Sequence, residues 1–274
     1  MKLKAAASVL FVFLLLLGRP EARTDLPVLM YHHFDDSVTA DTVVSGEKFR
    51  EQMTALKEAG YTAVNLSQLL DFVENGVPLP RRPVLITMDD GYTSNLETAA
   101  PILEELDMCA TVFVIGINEG EEIYLHSGEP LTPLRFSYES AADWVEKGVL
   151  DLQCHSMDMH RLEGSGGSAR NGMLPQDGES GEAYRRAIAE DMRLFRRRRV
   201  GRAASQLTAL AYPFGFYTED LDSLLEEEGV LFTFTTDEHS NRLYIGDYSS
   251  LRMLGRYNVT ERLSGQELVQ LLNR

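Results

Sequence analysis

The chain has 274 residues, 44% of them hydrophobic and 25% charged, with 42 acidic side chains against 26 basic ones and a net charge of −16. That length suits one large α/β domain with a sizeable core. The acidity, −18 once Lys2, Lys4, Arg19 and Glu21 leave with residues 1–22, argues against nucleic acid or an anionic membrane surface as a partner.

Lys2 and Lys4 precede the apolar run Ala5–Leu17, which Gly18-Arg19-Pro20 ends. Such a run is short for a membrane-spanning helix and has the layout of a secretory leader. Residues 1–22 are expected to be a signal peptide or an N-terminal anchor. Pro20 fits the small-residue rule for cleavage after Ala22 poorly, so both alternatives stand. Either way the protein is expected to be secreted or extracytoplasmic, and a monomer, with residues 23–274 as one domain.

From Leu26 onward strand and helix signals alternate. Val28–Tyr31 reads as a strand, and Glu47–Ala59 as a helix with Phe49, Met53 and Leu56 on one face and Gly60 as its stop. A short strand, Tyr61–Val64, leads to a helix Leu69–Asn75 capped by Ser67. The apolar run Pro83–Thr87 reads as a buried strand leading into Met88-Asp89-Asp90-Gly91. Helix Asn95–Leu106 and strand Cys109–Ile115 follow, then an excursion at 117–137 rich in Gly, Pro and Glu.

Helix Ser140–Lys147 stops at Gly148 before the strand Leu150–His155. Glu163–Gly181, rich in Gly and Ser, is expected to be a mobile loop beside the site. Helix Glu182–Arg199 ends in the run Arg196–Arg199, which suits a solvated helix C-terminus favoured by the dipole. Strand Leu207–Tyr212, the turn Pro213-Phe214-Gly215, helix Asp220–Glu228 and strand Leu231–Thr235 complete the pattern. The alternation implies a mostly parallel sheet with crossover helices, as an open doubly wound sheet or as a barrel. Cys109 and Cys154 fall at opposite ends of neighbouring parallel strands, beyond the roughly 7 Å that a disulfide spans, so free thiols are expected.

Two carboxylates and a glycine at a strand exit suit a site laid over strand ends. If the strand persists to Asp90, Asp89 and Asp90 point to opposite sides and hold different jobs. Asp90 with His155 and His160 could form a two-histidine, one-carboxylate metal site with positions open to water. His155 and His160 are five residues apart, about 140° around a helix and on opposite faces of a strand, so they converge only if Ser156–Met159 turns.

The series Tyr31-His32-His33, Asp89-Asp90-Gly91, Ala110–Gly116, His155-Ser156 and Ala211–Gly215 resembles the NodB-type polysaccharide deacetylases, over roughly residues 27–260. The resemblance implies a distorted (β/α) barrel and a metal-dependent hydrolase that removes N-acetyl groups from GlcNAc-containing glycans outside the cell. It implies Asp90, His155 and His160 as ligands of a divalent ion, zinc first with cobalt or nickel as alternatives, and Asp89 as the general base. It implies the backbone N–H of Tyr212 as the oxyanion donor beside the metal.

The chain departs from the family in three places. Four residues rather than the usual three separate the histidines, as in the branch acting on poly-β-1,6-N-acetylglucosamine. Ala211 stands where an arginine usually holds the base, and Arg256 is the candidate replacement. The late Leu-x-His motif is missing; His239 is the only histidine after His160, and His32 is the preferred general acid. His33 is expected to be structural, His126 at the surface, Trp144 in the core, and Tyr92 either lining the cleft or packed.

Poly-N-acetylglucosamine is the preferred substrate, with peptidoglycan and chitin oligomers next. A glycan-binding pseudoenzyme stays open because of the missing arginine and histidine. A glycosidase is disfavoured, because consecutive carboxylates diverging from one strand are poorly placed about a scissile bond.

Overall fold

The structure, a computed structural model, describes residues 23–38, 40–116, 134–164, 168–198, 206 and 208–273. The expected leader or anchor at 1–22, His126 with most of the 117–137 excursion, Arg199 and Leu207 lie outside the described residues.

The first strands are β1 (Arg23–Leu26), β2 (Val28–Tyr31), β3 (His33–Phe34) and β4 (Val43–Val44), followed by helix α1 (Gly46–Glu58) and β5 (Thr62–Ala63). Helix α2 (Leu66–Asn75) starts three residues earlier than expected, because Asn65 rather than Ser67 caps it in a reciprocal box with Gln68. Next come β6 (Pro83–Asp90), a π turn at Asn95–Ala99 that runs into α3 (Ala100–Glu105), β7 (Ala110–Val114), α4 (Tyr138–Glu146) and β8 (Leu150–Cys154). The second half holds α5 (Gly181–Arg198), β9 (Ala209–Ala211), α6 (Glu219–Glu227), β10 (Phe232–Phe234), β11 (Asn241–Tyr244), β12 (Tyr257–Asn258) and α7 (Gly265–Leu272). Among these elements, β1 and β11, which pair antiparallel, β4, which pairs parallel with β3, and the closing helix α7 were not expected.

The main sheet is parallel in the order β10-β9-β8-β7-β6-β2-β12, with β5 beside the start of β6. All eight residues of β6 are buried, as a central parallel strand covered on both faces requires. The sheet curls back on itself. Leu254 donates to Thr233 O (2.8 Å) and accepts from Thr235 N (2.9 Å), so the segment leading into β12 bonds to β10 on one side while β12 bonds to β2 on the other. The result is a distorted (β/α) barrel rather than an open sheet.

Side-chain alternation sorts the strands into two faces. Ile86, Met88, Val112, Leu152, Cys154, Leu210 and Tyr212 pack toward the helices, whereas Leu85, Phe113, Ala211 and Phe234 pack in a second cluster on the other face. By the same alternation Asp89 and His155, each one position from a helix-facing residue, fall on that second face at the carboxyl ends of β6 and β8. Among the described residues no helix is long and apolar enough to cross a membrane.

Candidate active site

At the exit of β6 the backbone leaves its regular path. Asp90 (φ 71°) and Gly91 (φ 69°) both enter the left-handed region, and a Cβ on Gly91 would meet Val114 Cγ1 at 3.0 Å. This bend cancels the alternation that would have turned Asp90 toward the helices. The carboxylates therefore do not diverge: Asp89 Oδ2 and Asp90 Oδ1 lie 3.9 and 3.7 Å from the same atom, His155 Nε2.

Arg256 enters from the seam that closes the barrel. Its side chain is fully buried and donates to both oxygens of Asp89, at 2.7 and 2.8 Å, with further bonds to Thr235 O (2.8 Å) and Thr87 Oγ1 (3.3 Å). Burial alone would raise the Asp89 carboxyl, but the guanidinium overrides it and holds the acid well below the usual carboxylate range. His32 sits beside this pair with Nε2 3.9 Å from Asp89 Oδ2, and its Nδ1 is buried without a partner. Burial lowers the His32 pKa, and the Asp89 and Asp90 charges only partly offset this. His32 is thus not a strand-end histidine tied by its ring to backbone. His239 is exposed, with its ring over Gly255.

The segment between the two histidines does turn. Ser156 adopts φ 70°, and its hydroxyl accepts from Met159 N–H at 3.0 Å. His155 Nδ1 lies 2.8 Å from Ala211 O, and because a carbonyl only accepts, Nδ1 carries the proton and Nε2 offers its lone pair inward. His160 Nε2 approaches Asp90 Oδ1 at 3.4 Å. Burial and the neighbouring His155 push the His160 imidazole down to about 4, leaving it neutral at pH 7.

Asp90, His155 and His160 each offer one donor atom, all within 4.8 Å of one another, and Asp90 Oδ1 is buried with no hydrogen-bond partner. A buried carboxylate oxygen without a donor, facing two imidazole nitrogens, fits a divalent cation.

Tyr212 does not offer the oxyanion donor expected of it. Its N–H donates to Phe234 O at 3.0 Å in the β9–β10 ladder, so it is not free to serve an oxyanion. Its side chain faces the helices, where the hydroxyl donates to Asp222, also the acceptor from Thr233 Oγ1 and Arg252 Nε. Alternation sends Tyr212 to the helix side together with Leu210.

Three residues near the site, Arg135, Phe214 and Asp191, carry no signal in the sequence for their place there. Arg135 lies with its guanidinium 3.5 Å above the Tyr92 ring and 3.8 Å from Asp90 Oδ2, brought there by an antiparallel bridge between the two residues. Tyr92 thus lines the site, with burial and Asp90 pushing its phenol up to about 12. Phe214, at φ 59°, sets its ring 4.3 Å from that of His160. Asp191, on α5, accepts from Met157 N–H (2.8 Å) and Asp158 N–H (3.0 Å). The Asp-Asp-Gly and His-Ser motifs gave no sign of these partners.

His33 Nδ1 bonds to Ser94 Oγ (2.8 Å), Trp144 packs against the core, and Cys109 and Cys154 are free thiols. Arg196 pairs with Glu228 at the end of α5. The described part of the Gly/Ser-rich segment is tied down rather than loose: Arg170, nine-tenths buried, makes a two-bond pair with Glu179, and Tyr184 Oη donates to Met173 O.

The polysaccharide deacetylase family profile matches residues 76–233. The Bacillus subtilis (strain 168) protein YxkH is 26% identical over 247 residues, 90% of this chain and 76% of its own length. A poly-β-1,6-N-acetyl-D-glucosamine N-deacetylase of Staphylococcus aureus (strain MRSA252) is 26% identical over 215 residues, 77% of this chain and 67% of its own. In fold the chain resembles IcaB from Ammonifex degensii, with a TM-score of 0.72, 23% identity and coverage of 91% and 97% of the two chains.

Proposed function

This chain belongs to the polysaccharide deacetylase family and is a hydrolase of polysaccharide amide bonds, and from that premise we propose that it removes N-acetyl groups from poly-N-acetylglucosamine outside the cell with a divalent metal. The observation that carries this reading is the convergence of Asp90, His155 and His160 within 4.8 Å, against an Asp89 clamped by Arg256. The four-residue histidine spacing and the 26% identity to the staphylococcal enzyme support this substrate over peptidoglycan and chitin oligomers.

A cation held by Asp90 Oδ1, His155 Nε2 and His160 Nε2, zinc by preference with cobalt or nickel also suited, supplies a Lewis acid that acidifies water and polarises the amide carbonyl. Asp89, kept ionised by Arg256, takes a proton from the water as its oxygen bonds to the carbonyl carbon. The same guanidinium makes Asp89 a poor resting place for that proton. His32, neutral by burial and 3.9 Å away, receives it and delivers it to the amine nitrogen as the C–N bond breaks. One water proton thus ends on the glucosamine nitrogen, and the other leaves with acetic acid, which ionises to acetate and passes its proton to solvent. Tyr212 N–H is committed to Phe234 O and Pro213 has no N–H, so neither backbone position serves the oxyanion in this reading.

Two vacancies favoured a non-catalytic binder: the motif arginine and the late histidine. Arg256 bonds to both oxygens of Asp89 and His32 lies 3.9 Å from it, which supports turnover. The glycosidase reading is disfavoured on new grounds: the carboxylates converge, and neither is raised in pKa as a glycosidase acid must be. The protein acts as a monomer, secreted or held at the membrane by residues 1–22.

The test is acetate release from poly-N-acetylglucosamine, chitin oligomers and peptidoglycan, after chelation and after return of Zn²⁺, Co²⁺ or Ni²⁺. Release should be fastest from the first and should need the metal. Metal-dependent release from none of them would overturn the proposal.

A further inference from the structure

Asp191 is 4% exposed, lies 31 residues beyond His160 on a different element, and has no part in the chemistry above. Its two oxygens accept from two successive backbone N–H groups, Oδ2 from Met157 at 2.8 Å and Oδ1 from Asp158 at 3.0 Å. Burial pushes its carboxyl up to about 7, and the Met157 bond and the Arg161 and Arg170 charges only partly offset this. A buried carboxylate is costly unless its oxygens are filled, so its presence on an otherwise apolar helix face needs a reason. On that face its neighbours are Ile188, Met192 and Phe195.

The turn it grips is the one that the longer histidine spacing makes necessary. Ser156 lies in the left-handed region, so Ser156–Met159 is a bend rather than regular structure. The turn is held from three sides. Gly116 N–H donates to Ser156 O at 2.9 Å, and a Cβ on Gly116 would strike Met157 Sδ at 2.5 Å and Phe195 at 2.8 Å. Beyond His160, Gly172 N–H donates to Arg161 O at 2.8 Å. Asp191 holds the middle, and it is the only one of the three that acts through a side chain.

We infer that Asp191 is a positioning residue whose carboxylate, by binding Met157 and Asp158 N–H together, sets the bend that brings His160 back to His155 and Asp90. This rests on the metal reading above. An acceptor on one oxygen alone would leave one of the two adjacent N–H groups unpaired and would let His160 swing. The clamp therefore acts on metal affinity through geometry, without touching the metal or substrate.

The test compares the full chain with Asp191→Ala, Asp191→Asn and, as a control for loosened packing of α5, Ile188→Ala. Three quantities are read in metal-free protein: the melting temperature, hydrogen exchange of the Met157 and Asp158 amides, and Co²⁺ or Zn²⁺ affinity by competition with a chromophoric chelator. Asp191→Ala should lose amide protection at 157–158 and weaken metal binding at least 10-fold. Asp191→Asn should fall between it and the parent. Ile188→Ala should melt lower yet keep the parent's affinity.

Parent-like affinity in Asp191→Ala, or an equal loss in Ile188→Ala at matched melting temperature, would overturn the clamp. A parent that binds neither metal while Asp191→Ala still loses protection would overturn the metal reading and leave the hold on the turn standing.

Discussion

Arg256 meets Asp89 with two parallel hydrogen bonds of 2.7 and 2.8 Å, and the two side chains are almost entirely excluded from solvent. They are 167 residues apart, Asp89 at the end of β6 and Arg256 in the segment between the Leu254 closure and β12. The pair ties barrel closure to the state of the proposed base.

Arg256→Ala leaves a buried carboxylate alone and should cost about 3–5 kcal/mol of stability. Arg256→Lys keeps the charge but loses the fork, and should cost less while still lowering acetate release. Urea denaturation paired with an acetate assay checks both. An Arg256→Ala protein of parental stability would contradict the buried pair.

The depressed pKa of Asp89 also sets a pH dependence. Because its folded-state value lies below the unfolded one, the pair contributes its full stability above about pH 4 and loses it as pH falls toward the folded-state value. In chelator-treated protein, the stability gap between parent and Asp89→Asn should narrow on acidification from about pH 5 to pH 3. A gap that is constant over this range would mean that Asp89 is not held ionised by Arg256.

His32→Ala should lower turnover on the order of 10²–10⁴-fold, whereas exposed His239→Ala should leave it nearly unchanged. Steady-state acetate release from one defined oligomer measures both. The reverse ranking would move the acid to His239.

Tyr212→Phe removes the hydroxyl from Asp222 without disturbing its backbone N–H, which the β9–β10 ladder already uses. Melting should show a loss of about 1.5–3 kcal/mol, the scale of a hydrogen bond to a charged group, with kcat within a few-fold of the parent. A collapse of kcat at unchanged stability would restore Tyr212 to the site.

His155→Ala and His160→Ala should each lose bound divalent metal and acetate release together, while Asp89→Asn loses release and keeps the metal. Metal content by atomic emission, measured beside activity, separates the two classes. Retention of metal by both histidine variants would remove Asp90, His155 and His160 as the ligand set.

The order of elements and the motifs were legible in the chain itself. Apolar runs with β-branched residues mark β6 and β7, glycine stops end α1 and α2, and Asp89-Asp90, His32 and His155 each stand at a strand exit. Such signals are local, written in the period of side chains along a few residues. The short strands β1, β4 and β11 carry little of that period, which is why none of them stood out in the sequence.

Three matters waited for tertiary structure, each for a physical reason. Alternation says that Tyr212 and Ala211 face opposite ways, but not which way is inward; the helices packed on Leu210 decide that. Asp90 turns toward His155 because its backbone takes φ 71°, a conformation no residue pattern announces in an aspartate. Asp191, Arg135 and Arg256 reach the site across long stretches of chain, through contacts that exist only once the barrel has curled. Sequence by itself determined which chemical groups are present at the strand ends; closure of the barrel decided which of them face one another.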